Sequence, residues 1–288
     1  MDTIIQILAR ELGRSEAHVE NVVRLIDEGN TIPFIARYRK ELHGAMDDTA
    51  LRTLADRLQY LRNLDKRREE VKSAIEGQGK LTEELSAAID AAATLAEVED
   101  LYRPYKQKRR TRATVAREKG LEPLAELLFA QAADGPAPEE AAGAFIDPEK
   151  GVATAEDALQ GASDIIAERI SDDADIRKRL RELVWKKGSL VSAAAAKEPE
   201  DTVYRLYYAF RSPLNRVQGH QVLAINRGER EGVLKVSVEM EREAALIPVR
   251  RAVLNPGAPA MAFVRAAAED AYDRLIFPSV EREMRGLL

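Results

Sequence analysis

Asp47-Asp-Thr-Ala-Leu-Arg-Thr-Leu-Ala-Asp-Arg-Leu-Gln-Tyr-Leu-Arg-Asn-Leu-Asp-Lys-Arg-Arg-Glu-Glu-Val-Lys-Ser-Ala-Ile-Glu-Gly77 is the clearest run of helical periodicity in the chain. Leu51, Leu54, Leu58, Leu61, Leu64, Val71 and Ile75 recur at three, four and seven residues, with charges filling the gaps. That spacing draws one apolar stripe along a single helix. At about 1.5 Å per residue the helix spans about 45 Å, longer than a small bundle needs. A lever or scaffold role follows. Gly77-Gln-Gly79 breaks the pattern, and Thr82-Glu-Glu opens a further helix through Leu85 and Ile89.

The rest of the composition agrees with a helical chain. Of 288 residues, 45% are hydrophobic and only 5% aromatic, with alanine and leucine abundant, a balance that favours helices over strands. Charged residues make up 32% with signs interleaved, as on solvated helix faces, and the net charge is −5. The absence of cysteine excludes disulfides and thiolate metal sites. Met1-Asp-Thr-Ile-Ile-Gln lacks the basic-then-apolar pattern of a signal peptide, and no apolar run has membrane-spanning length, so a cytoplasmic protein without membrane contact is expected.

Ahead of the long helix, the first 45 residues read as three short helices. Ile4, Ile5, Leu8 and Leu12 share a face that Gly13 terminates; Ser15 caps a second helix striped by Val19, Val22, Val23 and Ile26; Thr31 opens a third, with Pro33 in its first turn and Arg37, Arg39 and Lys40 exposed. The arrangement is compatible with a helix-turn-helix and equally with any small bundle corner. Downstream, Ala113–Glu118 forms a short helix before Gly120, Leu121–Leu128 starts another, and residues 131–153 form a loose Gly/Pro/Ala connection. Ala155–Val184 is helical with a break at Ser171-Asp-Asp, and Trp185, the single tryptophan, reads as a packing anchor. Val222–Ile225 and Leu234–Val238, on either side of Asn226–Gly232, read as a β-hairpin. Ala258–Leu275 returns to helix, Pro278 ends it, and Ser279 caps a last helix that runs to the carboxyl terminus without a stop signal. The predicted class is mainly α: a multi-helix bundle with a helix-turn-helix-like piece and one small β-hairpin.

Charge singles out one segment. From Arg103 to Lys119 there are eight Lys or Arg and one acid, a local positive field on an acidic body. Pro104 makes Arg103 extended, and Gln107–Thr111 reads as a loop or irregular arm. Lys106, Lys108, Arg109, Arg110 and Arg112 are candidate phosphate contacts, and Tyr102 and Tyr105 offer rings for base stacking. The competing reading is a solvated turn whose arginines pair with Glu97, Glu99 and Asp100. Catalytic patterns are sparse: His18, His43 and His220 are far apart, no phosphate loop is present, and the acid runs Glu97/Glu99/Asp100 and Asp172/Asp173/Asp175 fit helix ends better than a metal. The expectation is no enzyme, no cofactor and no metal.

Six segments in order resemble the bacterial Tex family of transcription accessory proteins. They are Asn30-Thr-Ile-Pro-Phe-Ile-Ala-Arg-Tyr-Arg-Lys-Glu41, Val98-Glu-Asp-Leu-Tyr-Arg-Pro-Tyr-Lys106, Lys108-Arg-Arg-Thr-Arg-Ala-Thr114, Ala116-Arg-Glu-Lys-Gly-Leu-Glu-Pro-Leu124, Leu223-Ala-Ile-Asn-Arg-Gly-Glu229 and Asp273-Arg-Leu-Ile-Phe-Pro-Ser-Val-Glu-Arg-Glu283. The resemblance implies an amino-terminal helical half, ending before an RNase H-like domain, a helix-hairpin-helix module and an RNA-binding barrel of the ribosomal S1 type. One departure is Asn215-Arg-Val-Gln-Gly-His-Gln221, where Gly219 and Gln221 replace part of an expected Pro-Ser-His-Arg-like approach. The implied division is 1–100, an amino-terminal helical region with the long helix; 101–200, the basic arm and a helix-turn-helix-like helical region; and 201–288, a central scaffold segment with the hairpin. The implied role is a nucleic-acid-associated transcription accessory factor, binding RNA or DNA weakly and salt-dependently. Its further partners are transcription machinery and the remaining domains of a longer protein. In the alternative, the half is a protein-interaction scaffold and the absent barrel alone grips nucleic acid.

Overall fold

The structure is a computed structural model describing residues 3–107, 109–197 and 201–288. Its contacts divide the chain into two compact units, Met1–Tyr105 and Lys106–Leu288.

The first unit is built on the long helix. α1 (Ile4–Leu12), α2 (Glu16–Asp27) and α3 (Ile32–Tyr38) precede α4 (Asp48–Glu76), and α5 (Glu83–Ala91) and α6 (Leu95–Tyr102) follow it. Local chemistry sets the boundaries. Thr3 and Gln6 form a reciprocal capping box, Gly13 ends α1 in the left-handed conformation, and Ser15, Asp47, Thr82 and Thr94 each accept a first-turn N–H. The length of α4 is explained by what it covers. Leu51, Leu54, Leu58 and Leu61 close one cluster with Leu8, Val19, Val22, Leu25 and Ile35, while Leu64, Val71 and Ile75 close a second with Ile89, Ala92 and Val98. One helix is thus the shared wall of two small cores.

The second unit centres on α10 (Ala155–Ser171), which packs against α7 (Arg112–Glu118), α8 (Glu122–Ala130) and α9 (Pro138–Gly143). α11 (Ala174–Lys187), α12 (Gly219–Arg230), α13 (Arg242–Val253), α14 (Met261–Asp270) and α15 (Phe277–Leu287) complete the helices. The predicted loose connection at 131–153 holds α9, with Ala141 and Ala142 buried, and a turn capped by Asp147. Three strands, β1 (Ser189–Ala194), β2 (Ala209–Pro213) and β3 (Leu234–Glu239), form an antiparallel sheet in the order β2-β1-β3. Leu190 faces Ser212 on one side and Val238 on the other.

The mainly α class stands, with three corrections. The expected hairpin does not form: its first arm is α12, because Val222, Ile225 and Gly228 at intervals of three are the buried face of a helix. Only Leu234–Val238 is strand, and it pairs with β1 rather than with its sequence neighbour. Pro278 does not end the helix expected over Ala258–Leu275. A π-helical stretch, Ala271–Ile276, in which the Phe277 N–H reaches Tyr272 O five residues back, carries the chain into α15. Ser279 accordingly does not cap; its hydroxyl meets Arg177 and Glu283. Trp185 is not an anchor but 37% exposed, since the inward positions of α11 are Ile176, Arg177, Leu180 and Val184, one residue out of phase with it. Among the described residues no helix is long and apolar enough to cross a membrane.

Candidate nucleic-acid interface

The two tyrosines belong to the first unit. α6 ends at Tyr102 and passes into a turn of 3-10 helix, Arg103–Tyr105, so Arg103 is helical and not extended as expected, and Pro104 stands exposed. Both rings are half-buried against the cluster of Leu64, Val71, Ile75, Ile89 and Val98. The Arg67 guanidinium lies 5.6 Å from the centroid of Tyr102, and it is oriented by Glu99 at 2.6 Å and Glu70 at 3.1 Å. Those two carboxylates hold the Arg67 pKa above its ordinary value against the cost of burial. Glu99, one of the acids expected to neutralise the basic segment, accepts from Arg67 on α4. Tyr105 is fixed through its carbonyl, which accepts from Gln78 Nε2 at 3.0 Å.

The basic residues open the second unit. Lys106, Arg109, Arg110 and Arg112 are exposed, and Lys108 lies outside the described residues. Thr111 caps α7: its hydroxyl accepts the Thr114 N–H at 3.0 Å and lies 3.0 Å from Glu168 Oε1 on α10. Glu168 also accepts from Arg117 Nη1 at 2.7 Å, and Lys119 Nζ donates to Gly151 O at 2.8 Å. Burial works against the Arg117 charge, but Glu168 and Glu122 more than offset it and raise its pKa. Arg117 and Lys119 thus tie α7 down, with Glu168 as the joint between the arm and α10.

That joint leaves three arginines outward. Arg110 Nη2 meets Glu118 at 2.7 Å, a pair that is 70% and 53% exposed and contributes little to stability. Among the described residues, Arg109 and Arg112 have no carboxylate partner. Arg112 also borders a shallow cavity of about 270 Å³ with Lys119, Val115, Leu121, Asp157 and Gln160. The structure therefore sorts the predicted residues: Arg109 and Arg112 face solvent uncommitted, Arg110 is loosely paired, and the rings of Tyr102 and Tyr105 are partly used in packing.

Sequence reasoning missed Glu168 altogether, since it is 57 residues from Thr111 and no local pattern marks it. Of the acid run Asp172/Asp173/Asp175, Asp173 accepts the Ile176 N–H at 2.9 Å as the cap of α11. At the departing segment, Gln221 Oε1 accepts the Gln218 N–H at 3.0 Å and helps to start α12, while His220 is exposed in the same turn.

Residues 2–76 match the Tex-like protein N-terminal domain, and residues 134–288 match the Tex central region-like family. The chain is 45% identical over 283 residues to the uncharacterized protein YdcI of Bacillus subtilis, covering 97% of this chain and 39% of that protein. It is 41% identical over 239 residues to the transcriptional accessory protein Tex of Neisseria gonorrhoeae, covering 83% and 31% respectively. It is also 31% identical over 301 residues to the human S1 RNA-binding domain-containing protein 1, covering 99% and 30%. The chain spans between about three and four tenths of the length of these relatives.

Proposed function

The chain belongs to the Tex family, and on that premise we propose that it is the amino-terminal helical portion of a nucleic-acid-associated transcription accessory factor. The observation that carries the reading is the pair of exposed arginines, Arg109 and Arg112, without an acidic partner among the described residues. Both stand in a segment where Arg117 and Lys119 are tied down. Uncommitted guanidinium groups at the start of a firmly anchored helix are suited to phosphate oxygens, which they meet as forked donors. With Lys106, Lys108 and Arg110 they supply up to five phosphate contacts. The partner names support the class: one relative is a transcriptional accessory protein and another carries an S1 RNA-binding domain in its name. The role is non-catalytic, and a magnesium-supplemented nuclease assay on this chain is expected to show no turnover.

A scaffold reading has its own support in the half-buried tyrosines and in α4, whose 29 residues brace two cores. One experiment separates the two. Fluorescence anisotropy of labelled RNA and DNA strands across a salt series should give weak binding with a log–log slope of about −3.5 to −4.5. Arg109→Ala with Arg112→Ala should reduce that slope by about 1.5 to 2. Unchanged binding in the variant would remove the segment as a contact surface and leave scaffolding.

A further inference from the structure

α3 carries an exposed aromatic and cationic surface that the basic segment does not account for. In Ile32–Tyr38 the helical repeat turns Ile32, Ile35 and Ala36 onto the α1–α4 cluster. The opposite face presents Phe34, Arg37 and Tyr38. Tyr38 is 56% exposed, and its ring centroid lies 5.2 Å from that of Phe34 at an interplanar angle of 47°. Arg39, just past the helix, places its guanidinium 5.3 Å from the Phe34 centroid and donates to Tyr38 O at 3.2 Å. One of its five N–H groups is used in that bond.

The cations near these rings differ from those of α4. Arg52, Arg57, Arg62, Lys66, Arg67, Arg68 and Lys72 each meet a carboxylate. Among the described residues, Arg37, Arg39 and Lys40 meet none. Glu41 is the one acid between Thr31 and Ala45. The surface therefore combines two neighbouring rings, one ring already covered by an arginine, and three cations without acidic partners. Isolated exposed apolar residues need no explanation, but a ring pair edged by uncompensated cations is the composition that holds single strands: bases stack on the rings and phosphates meet the charges.

We propose that Phe34, Tyr38, Arg37, Arg39 and Lys40 form a second contact surface, on the first unit, for single-stranded nucleic acid. Tyr38 takes a base on its open face, and Arg37, Arg39 and Lys40 take the adjoining phosphates. RNA and DNA strands share this chemistry. The proposal does not rest on the basic segment, which lies in the other unit.

The test is anisotropy of labelled oligouridine and oligothymidine strands, each about a dozen nucleotides, with the whole chain across a salt series. Phe34→Ala with Tyr38→Ala should weaken binding by about tenfold or more without changing the salt slope. Tyr38→Phe, which keeps the ring, should bind as the parent does. Arg37, Arg39 and Lys40 changed together to alanine should reduce the slope by about 2. The same losses are expected on both strands, and losses confined to one would assign the surface to that polymer. Because all five side chains project from the core, circular dichroism of the variants should match the parent. The proposal is overturned by parent-like affinity in the aromatic variant, by an unchanged slope in the cation variant, or by binding of duplex DNA in preference to either strand. Loss of all binding in Arg109→Ala with Arg112→Ala, with no effect at α3, would overturn it while leaving the basic segment intact as a contact.

Discussion

Arg177 shows how much a single buried side chain can matter in an alanine-rich core. Its side chain is fully enclosed, with Nη2 at 2.6 Å from Glu283 and 3.0 Å from Ser279, while Arg181 approaches the other Glu283 oxygen at 3.3 Å. These contacts join α11 to α15 across more than a hundred residues of sequence. Glu283→Ala removes a carboxylate that is bonded to both arginines and breaks a buried ion pair, so it should cost about 3–5 kcal/mol. Arg177→Met combined with Glu283→Leu should recover part of that loss, because the enclosed Arg177 charge leaves the interior with its carboxylate while Arg181 keeps its own. Denaturant midpoints of the two variants check this; a double variant as unstable as Glu283→Ala would show that packing, not charge, sets the cost. Tyr272, also buried in this unit, has its hydroxyl pushed up to about 12 by burial and stays neutral throughout the accessible pH range.

At the scale of elements, close approach and ion pairing fix the helices. α10 passes α7 and α8 at Gly161, where an added Cβ would lie 2.3 Å from Leu121 Cδ1 and 3.2 Å from Ala116 Cβ. Leu121 is almost fully buried and cannot swing away. Gly161→Ala should therefore destabilise by about 1–3 kcal/mol despite alanine's higher helix propensity, as thermal melting would show. In the first unit, Arg57 on α4 bonds Glu11 on α1 through two contacts of 2.7 Å, and Arg62 bonds Asp27 on α2 at 2.7 and 2.8 Å. The arginine hydrogen bonds hold both carboxyl groups below their ordinary pKa values. A depressed carboxyl stabilises the fold above its unfolded pKa and loses that contribution as pH falls through its folded value. Being partly solvated, each pair is worth about 0.5 kcal/mol after screening. Melting of residues 1–105 should weaken from about pH 4.5 downward, and Glu11→Gln with Asp27→Asn should flatten that dependence at some cost at neutral pH.

For the whole molecule, each unit has its own buried clusters, so residues 1–105 and 106–288 expressed separately should each melt cooperatively with helical circular dichroism. A fragment that remains unfolded alone would refute that independence. What the sequence by itself determined was whatever depends on near neighbours. The period of Leu51–Ile75, the caps at Ser15 and Thr82, the stop at Gly13 and the charge density of Arg103–Lys119 are all local, and the corresponding helix boundaries were legible. So was the family, through six short segments in order. Tertiary structure decided what depends on distant partners. Val222–Ile225 had the composition of a strand, but the core takes Val222 and Ile225, three residues apart, and leaves Leu223 exposed, as a helix does. β1 was invisible because its pairing energy comes from β2 and β3, well downstream, and not from its own alanine-rich sequence. Glu168 and Arg67 determine which arginine is anchored and which ring is covered, and no local rule reveals a partner 32 to 57 residues away. A charge is written in the sequence; whether it is spent on the fold or left for a ligand is settled by what the fold brings beside it.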